Sequence, residues 1–382
     1  MSKDYFPAKL AVGDRFCNRL KERTELSRNI ELGRHVVLIS PRRYGKSSLV
    51  SQVINELKIP FASIDLFLAY DDQAVTKRIL SGVSQALTKL MTVDQKALSK
   101  IQKYFTNFKV GLNIGGFSIE SAFNNEKTDA VEQILDSLQA LVKLATAQKQ
   151  KVIIFIDEFQ DIASSSSSKA IQGAIRHVAQ ETDKVVFIFS GSNRKMLLEL
   201  FDDKSKPLYM LCDKMLLDRM SAIDYQPYIQ KAALSKWRTK LDNLTLDRIL
   251  LLTELHPFYV NLLCNELWKS DNKPTIENVV NAWNNCYETE KRRLVAEIEA
   301  LTTNQQKLLQ ALAVNPTTEP TSNQFLQLVG LSTSSVKTGL KSLIDKDMVY
   351  QIKKVDLMLS GVMENQYRVL DPLVGFALRK YN

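Results

Sequence analysis

The chain has 382 residues, 45% of them hydrophobic and 24% charged, as expected for a soluble globular protein of two or three domains. Its formal net charge of +9 favours phosphates, nucleic acid or an anionic membrane surface as partners, although a generic basic surface fits as well. No apolar run has the length of a signal peptide or a membrane span, and the four separated cysteines form no zinc-binding pattern. We therefore expect a cytoplasmic protein with reduced thiols, although a secretion signal of another kind would escape this argument.

The first predicted helix spans residues 16–32 and ends at Gly33, and we expect its Arg19 and Arg23 to be solvated. An apolar strand follows at residues 35–39. A phosphate-binding loop is predicted between this strand and an amphipathic helix that carries residues 49–57. The loop consists of Ser40, Pro41, Arg42, Arg43, Tyr44, Gly45, Lys46, Ser47 and Ser48.

Each part of this loop has a physical reason to hold a polyphosphate. Gly45 lets the backbone approach closely, Lys46 can reach the β- and γ-phosphates, and Ser47 can put its hydroxyl on Mg²⁺. The helix that follows adds the positive end of its dipole. Ser40 stands where the usual pattern has its first glycine, and an ordinary strand-to-helix turn is the alternative interpretation.

A second motif lies at the end of a later strand. Residues 61–66 form a predicted strand, followed by a helix near 74–91, a short hairpin at 110–119 and a helix near 129–147. A continuous apolar run at 152–156 then ends in Asp157 and Glu158, as in a buried parallel strand. One carboxylate can hold Mg²⁺ through water while the other deprotonates a water aimed at the γ-phosphate. The two motifs together predict binding of ATP or GTP, and a strand that ends in solvated acids is the alternative.

The run Ser164 to Ser168 is low in complexity and predicts a mobile loop. A helix near 169–180 and a buried strand at 184–189 follow, and the strand ends in polar residues that include Ser190, Ser192 and Asn193. These groups are placed to sense a γ-phosphate, although a polar turn fits each one equally well. Alternating strands and helices predict an α/β fold with a parallel, doubly wound sheet and its ligand at the carboxyl ends of the strands.

The rest of the chain changes in pattern twice. Helices predominate from about residue 221, where Pro257 fits the first turn of a helix, and this part resembles a small lid. From Thr303, which with Gln306 predicts a capping box, three helices and two strands describe a winged helix. The predicted domains are a P-loop NTPase core with helices on both faces of its sheet (1–220), a helical lid (221–300) and a winged-helix domain (301–382).

The winged helix predicts a surface that could contact double-stranded DNA. Its third helix leaves Ser334, Lys337, Thr338 and Lys341 on the outer face, and the wing carries Lys353 and Lys354. Residues 290–382 have twelve lysines and arginines against nine acids, which is a weak electrostatic footprint for DNA. A winged helix that packs on the core or on another protein is the alternative.

Taken together, these residues resemble the archaeal-type ATPases of the STAND class, which are relatives of the AAA+ proteins. The resemblance covers nearly the whole chain. It rests on Phe16-x-x-Arg19, Pro41-Arg42-Arg43-x-Gly45-Lys46-Ser47-Ser48-Leu49, Phe155-Ile156-Asp157-Glu158-Phe159-Gln160, Ser190-Gly191-Ser192, Pro207-Leu208-Tyr209, His256-Pro257 and Asp371-Pro372. It implies ATP and Mg²⁺ as cofactors, with Lys46 and Ser47 on phosphate and metal, Asp157 on the metal and Glu158 as catalytic base. It also implies Ser192 near the first sensor and Pro257 near the adenine.

The family commonly continues Pro-Leu-Tyr with Gly-Arg, whereas this chain has Met210-Leu211. Arg43, Arg194 and Arg219 are other candidates for a charge that would stabilise the transition state, and without one we expect slow or partner-stimulated hydrolysis. The leading hypothesis is a switch that binds ATP, hydrolyses it to ADP and repositions the winged helix toward DNA or a protein partner. The alternatives are a DNA-binding module with nucleotide as a structural ligand and a non-hydrolysing, nucleotide-regulated protein scaffold.

Overall fold

The computed structural model describes residues 5–7, 9–91, 112–114, 117–119, 130–352 and 365–380. The chain divides into two compact units. One is Arg19–Asp218, called here the ATPase unit after the function that its sequence predicts, and the other combines Met1–Asn18 with Arg219–Asn382 and is called the helical unit. The boundaries expected at residues 220 and 300 stay a prediction.

The ATPase unit alternates strands and helices, as the sequence predicts. Its strands are β1 (Val36–Ile39), β2 (Phe61–Asp65), β3 (Leu112–Ile114), β4 (Phe117–Ile119), β5 (Val152–Asp157), β6 (Val185–Gly191) and β7 (Asp213–Leu216). Its helices are α1 (Leu20–Glu31), α2 (Lys46–Leu57), α3 (Asp72–Met91), α4 (Ala130–Ala147), α5 (Ser168–Glu181) and α6 (Arg194–Asp202). The short strands β3 and β4 pair antiparallel, which confirms the predicted hairpin.

Five parallel strands form the main sheet in the order β2-β5-β6-β1-β7. Their register aligns the carboxyl ends, with Asp65 opposite Asp157 and Ile39 opposite Gly191. Alternate side chains of each strand point to opposite faces, and the residues of β6 are buried throughout. The predicted α/β fold with a parallel sheet and helices packed on it is confirmed. The order of the strands places the loop after β1 next to the end of β6, with the end of β5 one strand further.

The first helix begins later than predicted. Asn18 and Arg19 have positive φ angles of 33° and 48°, which interrupt the helix, so that α1 starts at Leu20. Leu20, the first residue of α1, is 63% exposed. Gly33 does follow the end of the helix, with a positive φ of 72°.

The prediction of a mobile serine loop is wrong, because a distant carboxylate organises it. Asp72, the first residue of α3, accepts hydrogen bonds from the hydroxyls of Ser165, Ser166 and Ser167. These bonds hold the pKa of Asp72 well below its usual range. The serine run therefore ties the turn after β5 to the start of α3.

The helical unit contains a single continuous core that runs through the predicted lid and the winged helix. Its lid helices are α7 (Ala222–Trp237), α8 (Asn243–Thr253), α9 (Pro257–Leu267) and α10 (Ile276–Glu299). The winged helix comprises α11 (Thr303–Val314), α12 (Asn323–Val329), α13 (Thr333–Asp345), β8 (Val349–Gln351), β9 (Tyr367–Val369) and α14 (Pro372–Lys380). Strands β8 and β9 pair antiparallel, which confirms the predicted wing.

One detail of this unit differs from expectation. The capping box of α11 uses Thr302 and Gln305 rather than Thr303 and Gln306, because two adjacent threonines, each followed three positions later by glutamine, offer the same pattern one residue apart. Ser332 caps α13 as predicted. No helix within the described ranges is both long and apolar enough to cross a membrane.

Two proline motifs of the helical unit meet through side chains. Asp371 accepts from the backbone N–H groups of Leu373 and Val374 at the start of α14, at 2.8 and 3.2 Å. The hydroxyl of Tyr259, two residues after Pro257, donates to the same carboxylate, and Arg293 lies 3.5 Å from it. This network joins the lid to the winged helix.

Candidate nucleotide-binding site

The loop after β1 has the backbone geometry of a phosphate cradle. Gly45 precedes α2 with a φ of +85°, a conformation that side chains other than glycine adopt only with strain. The buried Lys46 ammonium lies inside the loop, 3.3 Å from the Ser40 carbonyl and 3.2 Å from the Pro41 carbonyl. Ser40 is itself buried, as a small residue in place of glycine. A cation and a helix N-terminus therefore converge at the end of β1.

Asp157 joins this loop to the two neighbouring strands. The Ser47 hydroxyl donates to its Oδ2 at 2.8 Å, and the Ser190 hydroxyl at the end of β6 donates to its Oδ1. The backbone N–H of Glu158 also donates to Oδ1, at 3.0 Å. The predicted pair Ser47 and Asp157, 110 residues apart in the chain, is therefore brought into direct contact.

Glu158 is held separately from Asp157, on the side of Ser192. Its backbone has a φ of 50°, and its carboxylate oxygen Oε2 accepts from the Ser192 N–H at 3.0 Å, the Ser192 hydroxyl at 2.7 Å and the Gln160 amide at 2.6 Å. Burial by itself raises the pKa of Glu158, but these hydrogen bonds and the nearby Lys46 outweigh it and lower the pKa. The group is therefore an ionised carboxylate at neutral pH.

Ser192 also contacts the phosphate loop. The exposed Arg42 donates from Nε to the Ser192 hydroxyl oxygen at 3.0 Å, while that hydroxyl donates to Glu158. The structure thus brings together the predicted residues Arg42, Lys46, Ser47, Asp157, Glu158 and Ser192. Arg43 is exposed and has a φ of 66°, and Tyr44 is buried. The roles assigned to all these residues stay predictions.

Arg19 is a residue of this site that sequence reasoning missed, since it was expected to be solvated. It is only 4% exposed, and its guanidinium donates to the carbonyl of Tyr44 at 2.9 Å and to that of Asp218 at 3.0 Å. It also pairs with Glu22 at 3.1 Å. The spacing Phe16-x-x-Arg19 was the available signal, but helical periodicity gave no reason to place this charge inside.

The candidates for a catalytic arginine differ in their surroundings. Arg219 belongs to the helical unit, where it donates to Glu254 Oε2 at 2.9 Å and to the Leu370 carbonyl at 2.7 Å. Arg194 is the first residue of α6. Met210, in the position where the resemblance has glycine, has a φ of 55° and is 78% exposed. The next residue, Leu211, packs against the core instead of presenting a charge.

Pro257 lies in the helical unit at the first position of α9, after His256, whose side chain accepts from the N–H of Phe258. This confirms its predicted place in the helix. Its position near the adenine stays a prediction.

The donor set at the loop fits Mg²⁺. A serine hydroxyl and a carboxylate in contact are the hard oxygen ligands that this ion takes, together with phosphate oxygens and water. Within the part of the chain that the structure describes, no group of three or more His, Cys, Asp or Glu side chains could hold a metal on its own. Ser47 and Asp157 would thus hold Mg²⁺ only jointly with a bound polyphosphate.

Comparison with protein families agrees with this geometry. Residues 36–206 match the model of the ATPase family associated with various cellular activities (AAA), and residues 296–380 match the model of a probable winged helix domain. The chain therefore carries an AAA ATPase domain followed by a C-terminal winged-helix domain.

Two solved structures resemble the chain over almost its full length. A Walker-type ATPase of Pyrococcus abyssi has 18% identity and a TM-score of 0.68, covering 98% of this chain and 99% of that one. The ORC2 protein of Aeropyrum pernix, in its ADPNP-ADP complexes, has 13% identity and a TM-score of 0.55, covering 99% and 96%. At these identities the likeness shows a shared fold. No curated protein matches the sequence.

Proposed function

We propose that the protein is an ATP-binding and ATP-hydrolysing molecular switch of the STAND class, whose nucleotide state repositions the winged helix. The observation that carries the proposal is the 2.8 Å hydrogen bond between Ser47 and Asp157. The next residue, Glu158, is held in place by its hydrogen bond with Ser192. An AAA domain model over the same residues supports ATP as the nucleotide. The Aeropyrum pernix relative was solved with ADPNP and ADP, which supports an adenine nucleotide in this fold.

The residues of this chain supply four functions in that reaction. Backbone N–H groups at the start of α2 and the Lys46 ammonium bind the β- and γ-phosphates. Ser47 and Asp157 would hold Mg²⁺, and the ion would supply positive charge to the phosphate oxygens. Glu158, ionised at neutral pH, orients a water and takes its proton. Ser192 senses this arrangement, because it contacts both Glu158 and the loop residue Arg42.

A route from this site toward the winged helix supports the switch. Arg19 binds the carbonyl of Tyr44 within the phosphate loop and that of Asp218, the last residue before the helical unit. A displacement of the loop on nucleotide binding would change the position of both carbonyls relative to one guanidinium. We propose that this contact transmits the nucleotide state to the chain segment that leads to the winged helix.

Hydrolysis of ATP by wild type and Glu158→Gln, with and without duplex DNA, tests the proposal. We expect Glu158→Gln to retain ATP and to lose turnover by at least about a hundredfold, because the amide cannot take a proton. Glu199→Gln on the exposed side of α6 serves as the matched control. Unchanged turnover in Glu158→Gln would remove the assigned base. ATP bound without turnover in the wild type would favour the non-hydrolysing scaffold.

Exposed groups on α13 favour double-stranded DNA as the partner of the switch. Ser334, Lys337, Thr338 and Lys341 are all exposed there, as predicted, whereas Lys353 and Lys354 lie outside the described residues. If these lysines contact phosphates, the double substitution Lys337→Gln and Lys341→Gln should reduce the slope of the logarithm of the binding constant against the logarithm of the salt concentration by about two. Lys307→Gln on α11 removes an exposed charge elsewhere in the same domain and should leave the salt dependence unchanged.

A cleft on the same helix favours a protein partner as the second candidate. It has a volume of about 360 Å³, and its lining includes the apolar Leu340 and Ile344 of α13, Tyr367 of β9, and the charged Lys337, Lys341 and Asp345. A concave lining that combines apolar side chains with charges of both signs suits a peptide better than a phosphate backbone. This candidate would be favoured if the wild type did not bind duplex DNA. It would also be favoured if the two lysine substitutions left DNA binding unchanged, because α13 would then not be the DNA contact.

A further inference from the structure

Gln160 lies directly after the acidic pair and contacts two carboxylates at once. Its side chain is 4% exposed, and its amide nitrogen donates to Glu158 Oε2 at 2.6 Å and to Asp161 Oδ1 at 3.2 Å. Because both acceptors are carboxylate oxygens, the orientation of this amide is fixed with its nitrogen toward them. The buried Gln160 amide is thus held against the carboxylate of Glu158.

The end of β6 is shaped around this glutamine. A Cβ atom built on Gly191 would lie 2.0 Å from the Gln160 Oε1 atom, a distance at which one of the two must move. That oxygen is buried and has no hydrogen-bond donor among the described residues. The glycine in Ser190-Gly191-Ser192 therefore provides the space that the amide occupies.

The hydrogen bonds described for the Glu158 carboxylate all fall on one of its two oxygens. Gln160 and Ser192 together direct three donors to Oε2, and none of these bonds involves Oε1. Three donors from two directions prevent rotation of the carboxylate about its terminal bond. The two oxygens are consequently not equivalent.

We infer that Gln160 is a positioning residue: its amide holds Oε2 of Glu158 on Ser192 and leaves Oε1 to take the proton from the attacking water. This inference rests on the proposed function. In that step a water proton passes to Oε1, the water oxygen bonds to the γ-phosphorus, and the bond to the bridging oxygen breaks, releasing phosphate and ADP.

The groups around Glu158 define what the loss of Gln160 would do. Asp157 precedes it on β5, Asp161 follows in the turn, and the phosphate loop contributes Lys46 and, through Ser192, Arg42. Burial and the charge of Glu158 raise the pKa of Asp161. Without the amide between the two carboxylates, we expect their repulsion to move the Glu158 carboxylate away from Ser192.

The substitution Gln160→Leu tests the inference, since leucine is of similar size but cannot donate. We expect kcat to fall about tenfold and KM for ATP to change less than about twofold. Gln172→Leu is the matched control, because Gln172 is also a buried glutamine of this unit and, among the described residues, its amide donates to Ser168. Gly191→Ala should lower kcat in the same way, whereas Gly173→Ala, with open space around its Cβ, should not.

A second measurement separates this inference from the proposed function. Crystal structures of the nucleotide-free wild type, Gln160→Leu and Gln172→Leu show where the Glu158 carboxylate lies. A carboxylate that leaves Ser192 in Gln160→Leu supports the inference whether or not ATP is hydrolysed. A carboxylate that keeps its bonds to Ser192 in Gln160→Leu overturns the inference, as does a wild-type kcat in Gln160→Leu when Glu158→Gln has lost turnover. Wild-type turnover in Glu158→Gln would overturn the proposed base and the role of Oε1, but not the positioning of the carboxylate by Gln160.

Discussion

The two units of the molecule use buried charge in different ways. In the ATPase unit, charged and polar side chains from different segments converge at one edge of the sheet, where Lys46, Asp157 and Glu158 lie. In the helical unit, the part-buried charges Arg219 and Arg293 pair with acids and carbonyls of the same unit and so stabilise its own structure. The groups with which we expect that unit to meet a partner, such as Lys337, are exposed on a helix.

This difference follows from secondary structure. Parallel strands end together, so polar residues that follow several strands are necessarily neighbours, and a ligand can be predicted from them. Exposed residues of a helix point outward whatever they bind, and only a partner gives them a function. A nucleotide site is therefore readable in the first unit, whereas the partner of the second remains a proposal.

The largest effect should come from Lys46→Ala, which removes the buried cation of the phosphate loop. We propose that the ammonium makes charge-assisted contacts with the phosphates, and we therefore expect ATP affinity to fall about a hundredfold by calorimetry. Lys77→Ala, on the exposed side of α3, should leave it unchanged. Equal affinities in both variants would mean that the charge of the loop is not used for nucleotide.

A second effect should follow from Arg19→Met, which keeps the length of the side chain but removes its donors. The carbonyls of Tyr44 and Asp218 lose their partner, and we expect the free energy of unfolding of the ATPase unit to fall by about 3 kcal/mol in urea. In the control Arg23→Met, which breaks a part-exposed pair with Glu56, the loss should stay below about 1 kcal/mol. Similar losses in both would contradict a special role for Arg19.

A smaller effect, and the sharpest test of the contrast between units, is expected for Arg219→Met. The guanidinium binds Glu254 and the Leu370 carbonyl and lies over the ring of Tyr350, so we expect a loss of about 2 kcal/mol in stability. The kcat for ATP should be unchanged if this charge is structural. A fall in kcat of a hundredfold or more in folded protein would instead make Arg219 the catalytic arginine.

The smallest effect concerns His35, which is buried at the start of β1. Its Nδ1 accepts from the N–H of Phe187, its Nε2 contacts the Ala179 carbonyl, and burial lowers its pKa. The unfolded chain therefore binds a proton more readily than the folded one, so stability should fall as the pH drops below about 6.5, by at most about 1.4 kcal/mol per pH unit. Free energies of unfolding, measured by urea titration at several pH values, should show this slope in the wild type and in His177→Asn. The slope should be absent in His35→Asn.

Much of the ATPase unit could be predicted from the sequence, because its signals are local. The apolar strand before Ser40 and the run that ends at Asp157 each identify an element, and parallel pairing then brings Ser47 to Asp157. The alternation of side chains could not tell which carboxylate is contacted by Ser190, at the end of β6, and which by Ser192, just after it. In the structure Ser190 bonds to Asp157 and Ser192 to Glu158.

What the sequence could not reveal depends on partners far away in the chain. The serines at 165–167 are ordered by Asp72, more than ninety residues upstream, and Arg19 is buried by carbonyls that the pattern of its own helix does not contain. The prediction of the residue that caps α11 failed for the opposite reason, since Thr302 and Thr303 offer equivalent local signals. Periodicity describes a residue's neighbours in the helix, not its contacts in the fold.

The contact of Arg19 with Asp218 also has a topological consequence. Because Met1–Asn18 belongs with Arg219–Asn382, the ATPase unit is an insertion within the chain of the helical unit, and its two ends lie within the reach of one side chain. Domains with adjacent ends tolerate circular permutation and separate expression. Residues 19–218 should therefore fold as an independent fragment, and their ends could be joined by a short linker and new termini opened elsewhere.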